Sequence, residues 1–263
     1  MSGIVTIDTD GRGVATVTLN RPKVHNAFDD TVIAALTAAF AELAGDAAVR
    51  VVVLTGAGQS FSAGADLNWM KAMAGYSAEE NRADAERLAD MLHLLDTLPQ
   101  PSVARVNGAA LGGGVGLVAA CDIAIAAEGA QFGVTEVRLG LIPSVISPYV
   151  LRAIGPRHAR RFALTGERFG AAEARHIGLV HEVVAANALD AAVEIVIGNL
   201  LSGAPGAQAD VKKLFRDVWE LDRISGVVRA DTATRIARRR ATDEAREGMA
   251  AFFDKRKPGW VKQ

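Results

Sequence analysis

The chain has 263 residues, half of them hydrophobic and 22% charged, with a formal net charge of −1 and an isoelectric point near 6.5. That balance supports a sizeable core, argues against disorder, and gives no electrostatic case for a nucleic-acid or membrane partner. A single cysteine, Cys121, excludes an internal disulfide and a cysteine-built zinc cluster, and its apolar neighbours point to an inert core thiol.

Met1 to Asp10 has neither the basic start nor the apolar run of a secretory signal, and no stretch reaches the ~18 apolar residues of a membrane helix. A cytoplasmic, reducing compartment is the expectation. The stretch GIVTIDTDGRGVATVTLN alternates around a DG turn and predicts a hairpin. Asp29 to Leu43 has helical periodicity, with Asn26 or Asp29 as its cap. RVVVLTG is a continuous β-branched run, the mark of a buried strand. Ser77 and Glu80 fit a capping box for a long helix running to Leu98 and stopped by Pro99. SVARVNG and DIAIAA read as two more buried strands, with the glycine-rich LGGGVGLVAACD between them. The alternation implies a layered α/β core over residues 1–190, and from about Asn187 only helical patterns remain, giving a C-terminal helical module over 191–263.

Two glycine motifs carry no phosphate chemistry. TGAGQSF has Phe61 where a dinucleotide fingerprint needs its third glycine, and no GK[ST] follows any glycine run. The informative pair is FSAGADL (61–67) with the GGG at 112–114. Each puts small residues at the entry to a helix just after a buried strand. Helix starts present free N–H donors and favour negative charge. Two such starts converging would bind an oxyanion, each donor being worth about 2.7–4 kcal/mol in the transition state.

Four stretches, LNRPKVHNAF, FSAGADLNWM, NGAALGGGVGLVAACDIAIAAEGAQFGVTEVRLGLIP and EGMAAFFDKRKP, resemble the enoyl-CoA hydratase/isomerase (crotonase) superfamily over essentially the full chain. With EVRLGLIPSVISPYVLRAIG, the likeness is greatest to the methylglutaconyl-CoA hydratase branch. The resemblance implies a spiral of ββα units with a C-terminal helical trimerisation module, assembled as a homotrimer or as a hexamer of paired trimers. It implies an acyl-CoA thioester substrate, with no cofactor beyond the coenzyme A that the substrate carries. The backbone N–H groups of Ala65 and Gly113 become the oxyanion hole, and Glu136 the acid/base. A second family glutamate would fall at position 116, where this chain has Gly116.

The same resemblance assigns CoA contacts to Lys23, Val24 and His25, to Ala63, Asp66, Leu67 and Asn68, and to Phe252 and Lys255 reaching from a neighbouring subunit. Asp66 itself reads as a helix cap. Apolar residues around Glu136, including Leu139 and Leu141, are expected to raise its pKa. Trp69, Met70, Met73, Ile142, Val145, Ile146 and Tyr149 are candidate acyl-pocket walls. Lys71 and Arg87 are candidates for meeting a distal carboxylate. The space beside Gly116 is expected to hold a substrate branch or a water. The function implied is hydration of a branched 2-enoyl-CoA; the alternatives are Δ3–Δ2 enoyl-CoA isomerisation with Glu136 alone, and RNA binding through Arg238–Arg240. Interspersed acids disfavour the last.

Overall fold

β1 (Val5–Thr9) and β2 (Val14–Leu19) form an antiparallel hairpin, Val5 opposite Leu19 and Thr9 opposite Ala15. Asp10 holds the turn, its carboxylate accepting from the N–H groups of Arg12 (2.8 Å) and Val14 (3.0 Å). The computed structural model describes residues 3–219 and 224–261. α1 (Asp30–Gly45) starts at Asp29, whose side chain accepts from the Val32 N–H at 2.9 Å, so Asp29 is the cap. It buries Val32, Ile33, Leu36, Phe40 and Leu43, the helical stripe read from the sequence.

β3 (Val51–Gly56) is buried throughout and pairs in parallel with β2. β4 (Ser60–Ser62), α2 (Leu67–Met73) and α3 (Ala78–Thr97) follow. α3 opens with the expected capping box. Ser77 Oγ accepts from the Glu80 N–H, and the Glu80 carboxylate accepts from the Ser77 N–H at 2.7 Å. It is capped by Leu98, ahead of Pro99, whose ring disfavours helix in the residue before it.

The pattern then repeats: β5 (Ser102–Val106), β6 (Ala109–Leu111) and α4 (Gly113–Ala120), then β7 (Ile123–Ala127), β8 (Gln131–Gly133) and α5 (Ser147–Thr165). β9 (Arg168–Gly170), α6 (Ala171–His176) and β10 (Glu182–Val184) end the strand-bearing part. In each repeat the first strand joins a six-stranded sheet, β1-β2-β3-β5-β7-β10, and the second a four-stranded sheet, β4-β6-β8-β9. This is a spiral of ββα units. Its main core, which includes Phe28, Phe40, Phe61, Leu92 and Phe132, is buried among the sheets and helices.

α7 (Leu189–Ser202) spans the expected boundary at 190/191 and packs Leu189, Ala192, Val193 and Ile197 with Val14, Val51, Val53, Val103 and Ile125 of the large sheet. Beyond it lie α8 (Pro205–Trp219), α9 (Gly226–Arg240) and α10 (Asp243–Phe253). α8 is tied to the core by Lys212, whose ammonium donates to Asp122 at 2.6 Å and to the Gln100 carbonyl at 3.0 Å. Phe215, Trp219, Val227, Phe252 and Phe253 on these three helices are exposed. Among the described residues no single helix is long and apolar enough to cross a membrane.

Candidate active site

The segment leaving β4 is held by the start of the chain. Phe28 and Ala65 form a parallel bridge: the Phe28 N–H donates to the Gly64 carbonyl and the Asp66 N–H to the Phe28 carbonyl, both at 2.7 Å. Such pairing uses the groups flanking residue 65 and turns the N–H of Ala65 to the other side. Ala65 itself is exposed. Arg21 fastens the arrangement, its guanidinium reaching Asp29 at 2.7 Å and Asp66 at 3.2 Å. One cation therefore joins the caps of α1 and α2. Asn26, buried, donates from its amide to the carbonyls of Ala57 (2.9 Å) and Ser60 (2.7 Å), and Ser62 Oγ donates back to the Asn26 carbonyl. Arg21, Asn26 and Phe28 were not among the sequence-derived site residues, although all stand in LNRPKVHNAF; their signal was a buried-type amide and an arginine beside a turn.

The second donor segment is the start of α4. The carbonyl of its N-cap Gly112 accepts from the N–H groups of Val115 and Gly116, which leaves those of Gly113 and Gly114 as the helix's first free donors. A Cβ on Gly113 would stand 2.6 Å from the Phe28 ring, and one on Gly64 2.8 Å from the Leu111 carbonyl. Glycine is required at both points of close approach. Phe28 thus pairs its backbone with Ala65 and lays its ring on Gly113, which sets the two donor segments side by side.

Glu136 opens a short 3₁₀ turn, Glu136–Leu139. Its Oε1 lies 3.3 Å from where a Cβ on Gly112 would be, so the carboxylate sits against the start of α4. Oε2 is buried and has no hydrogen-bond partner among the described residues. Burial pushes this carboxyl above the usual carboxylate range, partly opposed by the backbone N–H groups of Glu136 and Thr135. The direction matches the sequence expectation, but Leu139 and Leu141 are not its cause: they are 59% and 50% exposed, and the start of α4 covers the carboxylate instead.

Position 116 departs from the expectation of open space. A Cβ there would lie 2.3 Å from Ile146 Cγ2 and 3.7 Å from Leu92. Ile146, 3% exposed, fills the volume that was assigned to a substrate branch or a water. Of the other proposed walls, Trp69, Met70, Met73, Val145 and Tyr149 are half-buried, whereas Ile142 is exposed. The Trp69 indole N–H is buried and has no hydrogen-bond partner among the described residues.

Near the donor loop, Lys23 and Val24 occupy an exposed 3₁₀ turn, Pro22–Val24. His25 follows, its Nδ1 3.1 Å from Ser60 Oγ and its carbonyl accepting from the Ala63 N–H at 2.9 Å. Asp66 caps α2 through the Asn68 N–H at 2.8 Å, as read, and Leu67 and Asn68 are exposed beside it. Arg87 is engaged by Asp84 at 2.7 Å; Lys71 is exposed. Phe252 and Lys255 belong to a tail pinned elsewhere. Arg50, ahead of β3, donates to the Trp260 carbonyl at 3.0 Å, and the Trp260 indole donates to Ser202. Ala65 follows the opposite end of β3. Within the basic run Arg239 pairs with Asp210 and Glu244, while Arg238 and Arg240 are exposed; beside the run Arg235 pairs with Asp217 and Asp231, and Arg246 with Asp243. A cleft of about 900 Å³ lined by Cys121, Lys212, Phe215 and Trp219 lies at the far end of α4, away from both donors. Burial raises the Cys121 thiol there and suppresses its thiolate.

Comparison with known proteins agrees with this fold. A sequence profile described as enoyl-CoA hydratase/isomerase matches residues 9–263. The crystal structure of an enoyl-CoA hydratase from Shewanella pealeana is 43% identical and covers 98% of this chain and 96% of its own, with a TM-score of 0.95. A crotonyl-CoA hydratase of Syntrophomonas wolfei is 34% identical over 251 residues, 94% of each chain. A short-chain-enoyl-CoA hydratase of Clostridium acetobutylicum is 34% identical over 260 residues, 96% of this chain and 95% of that one. The match over residues 9–263, relatives more than 30% identical over nearly the whole chain and a shared overall fold show that the chain belongs to the enoyl-CoA hydratase/isomerase (crotonase) family.

Proposed function

We propose that this protein hydrates a 2-enoyl-CoA with a short, branched acyl group of the methylglutaconyl type. The observation that carries the reading is Glu136, half-buried against the start of α4 beside the Ala65 and Gly113 donor segments. The thioester carbonyl accepts from the N–H groups of Ala65 and Gly113, which stabilise the enolate as charge develops. Glu136 takes a proton from water while the water oxygen bonds to C3, then delivers that proton to C2 on the same face. Every atom of the water is retained in the 3-hydroxyacyl product. A raised pKa suits a group that accepts and returns one proton near neutral pH.

Lys23, Val24, His25, Ala63, Asp66, Leu67 and Asn68 form the CoA-binding rim, with the Asp66 carboxylate spent on its cap and on Arg21. Phe252 and Lys255 complete the CoA site of a neighbouring subunit in a trimer or a hexamer, since their own tail lies at the other end of β3. The exposed apolar side chains of α8 to α10 supply the association surface. The names of the relatives in Syntrophomonas and Clostridium support a short acyl chain, and the filled space at Gly116 supports it independently.

One observation favours a second reading. Ile146 over Gly116 leaves a single carboxylate at this place, and Δ3–Δ2 isomerisation needs only one to move a proton between C2 and C4. Assays with crotonyl-, methylcrotonyl- and methylglutaconyl-CoA, and with a 3-enoyl-CoA beside them, separate the two. Loss of enoyl absorbance with water uptake is expected; 3-enoyl-CoA conversion without hydration of any of the three would establish the isomerase instead.

A further inference from the structure

Ile146 stands between α4 and a pocket. One flank packs on α4 at Gly116, one helical turn beyond Gly112, where an added Cβ would lie 3.3 Å from Glu136 Oε1. Its other flank is a wall of an apolar pocket of about 140 Å³, lined also by Val134, Pro143, Val150, Leu151 and Ala163. Val134 lies two residues before Glu136, so this pocket backs directly onto the chain that carries the acid/base group. The far wall is α5, which breaks at Gly155, in the left-handed region at φ +70°, and continues from Pro156. We propose that Ile146 sets the acyl-chain limit of the site, as a partition between Glu136 and a pocket suited to an alkyl tail. The inference rests on reading the site as an acyl-CoA site.

The size and lining of the pocket support an aliphatic occupant. An apolar cavity of about 150 Å³ holds a benzene-sized group, so this one takes the last few carbons of a linear chain. With Ile146 in place the acyl group ends at α4. With Ile146 trimmed, a longer chain runs past Gly116 into the pocket, and burying about two more methylenes there favours it about tenfold.

The test uses the intact protein and saturated acyl-CoAs, which bind without reacting. Calorimetry gives the Kd ratio for butanoyl-CoA against octanoyl-CoA in the wild type, Ile146→Val, Ile146→Ala, Ala163→Leu and the double variant Ile146→Ala/Ala163→Leu. Ile146→Ala is expected to move the ratio about tenfold toward octanoyl-CoA, Ile146→Val part of the way, and Ala163→Leu to cancel the gain by filling the pocket. Should Ile146→Ala fail to fold, Ile146→Val with and without Ala163→Leu carries the same comparison. An unchanged ratio in the trimmed variants, or a gain that survives Ala163→Leu, overturns the partition. Failure of the wild type to bind butanoyl-CoA overturns the site reading, and the inference with it.

Discussion

Glu136 combines a chemical requirement with a structural cost. Replacement by glutamine keeps shape and hydrogen-bonding capacity but removes proton exchange, so kcat is expected to fall by about 10²–10⁴ with KM little changed. Steady-state kinetics on crotonyl-CoA check this, and near-normal kcat would remove Glu136 from the chemistry. Because burial raises its pKa, the acidic limb of kcat/KM should lie above the ordinary glutamate value of about 4.3. Stability follows the opposite sense. Below the unfolded-state pKa the group is neutral in both states and its burial is free of charge cost. As pH rises through the folded-state pKa, the buried carboxylate destabilises the fold. Glu136→Gln should therefore melt higher than wild type at pH 7–8, with the gain vanishing near pH 4; thermal melts across that range would show it, and a gain independent of pH would contradict the burial argument.

At the start of α4, backbone donors and close packing are the same feature. Gly113→Ala would drive a methyl into the Phe28 ring, now 2.6 Å away, and Phe28 also holds Ala65. The expected cost is about 1–3 kcal/mol of stability, with a loss of kcat because both donor segments move. Denaturant unfolding alongside kinetics would check it; lost stability with intact kcat would separate the packing from the donors. The caps of these helices were legible in the sequence because a cap is local: Asp29, Asp66 and the Ser77–Glu80 pair each bond within three residues. The occupant of the space at Gly116 was not, because Ile146 arrives from the start of another helix and nothing in either segment announces the pairing. Arg21 was missed for a related reason: it joins two caps that lie far apart along the chain. α7 shows the limit on helices, since a periodic apolar stripe declares that a face is buried without saying which sheet covers it.

Across the whole molecule, few polar contacts fasten the C-terminal helices to the spiral. Lys212, with its side chain 13% exposed, bridges α8 to Asp122 and to the Gln100 carbonyl. Lys212→Ala is expected to cost about 1–3 kcal/mol and to speed proteolysis within α8, measurable by urea midpoint and limited trypsin digestion. Unchanged digestion would mean that apolar contact alone holds the helix. The tail's anchorage through Arg50 and Trp260, at the end of β3 away from Ala65, has a genetic consequence. If each working site takes its carboxylate from one chain and Lys255 from another, two inactive proteins can repair each other. Glu136→Gln and Lys255→Ala chains, unfolded together and refolded as mixed assemblies, should recover roughly a quarter of the sites by random assortment. Each alone should stay poorly active, and a mixture no better than the average of its parents would place Lys255 in its own subunit's site or outside the chemistry.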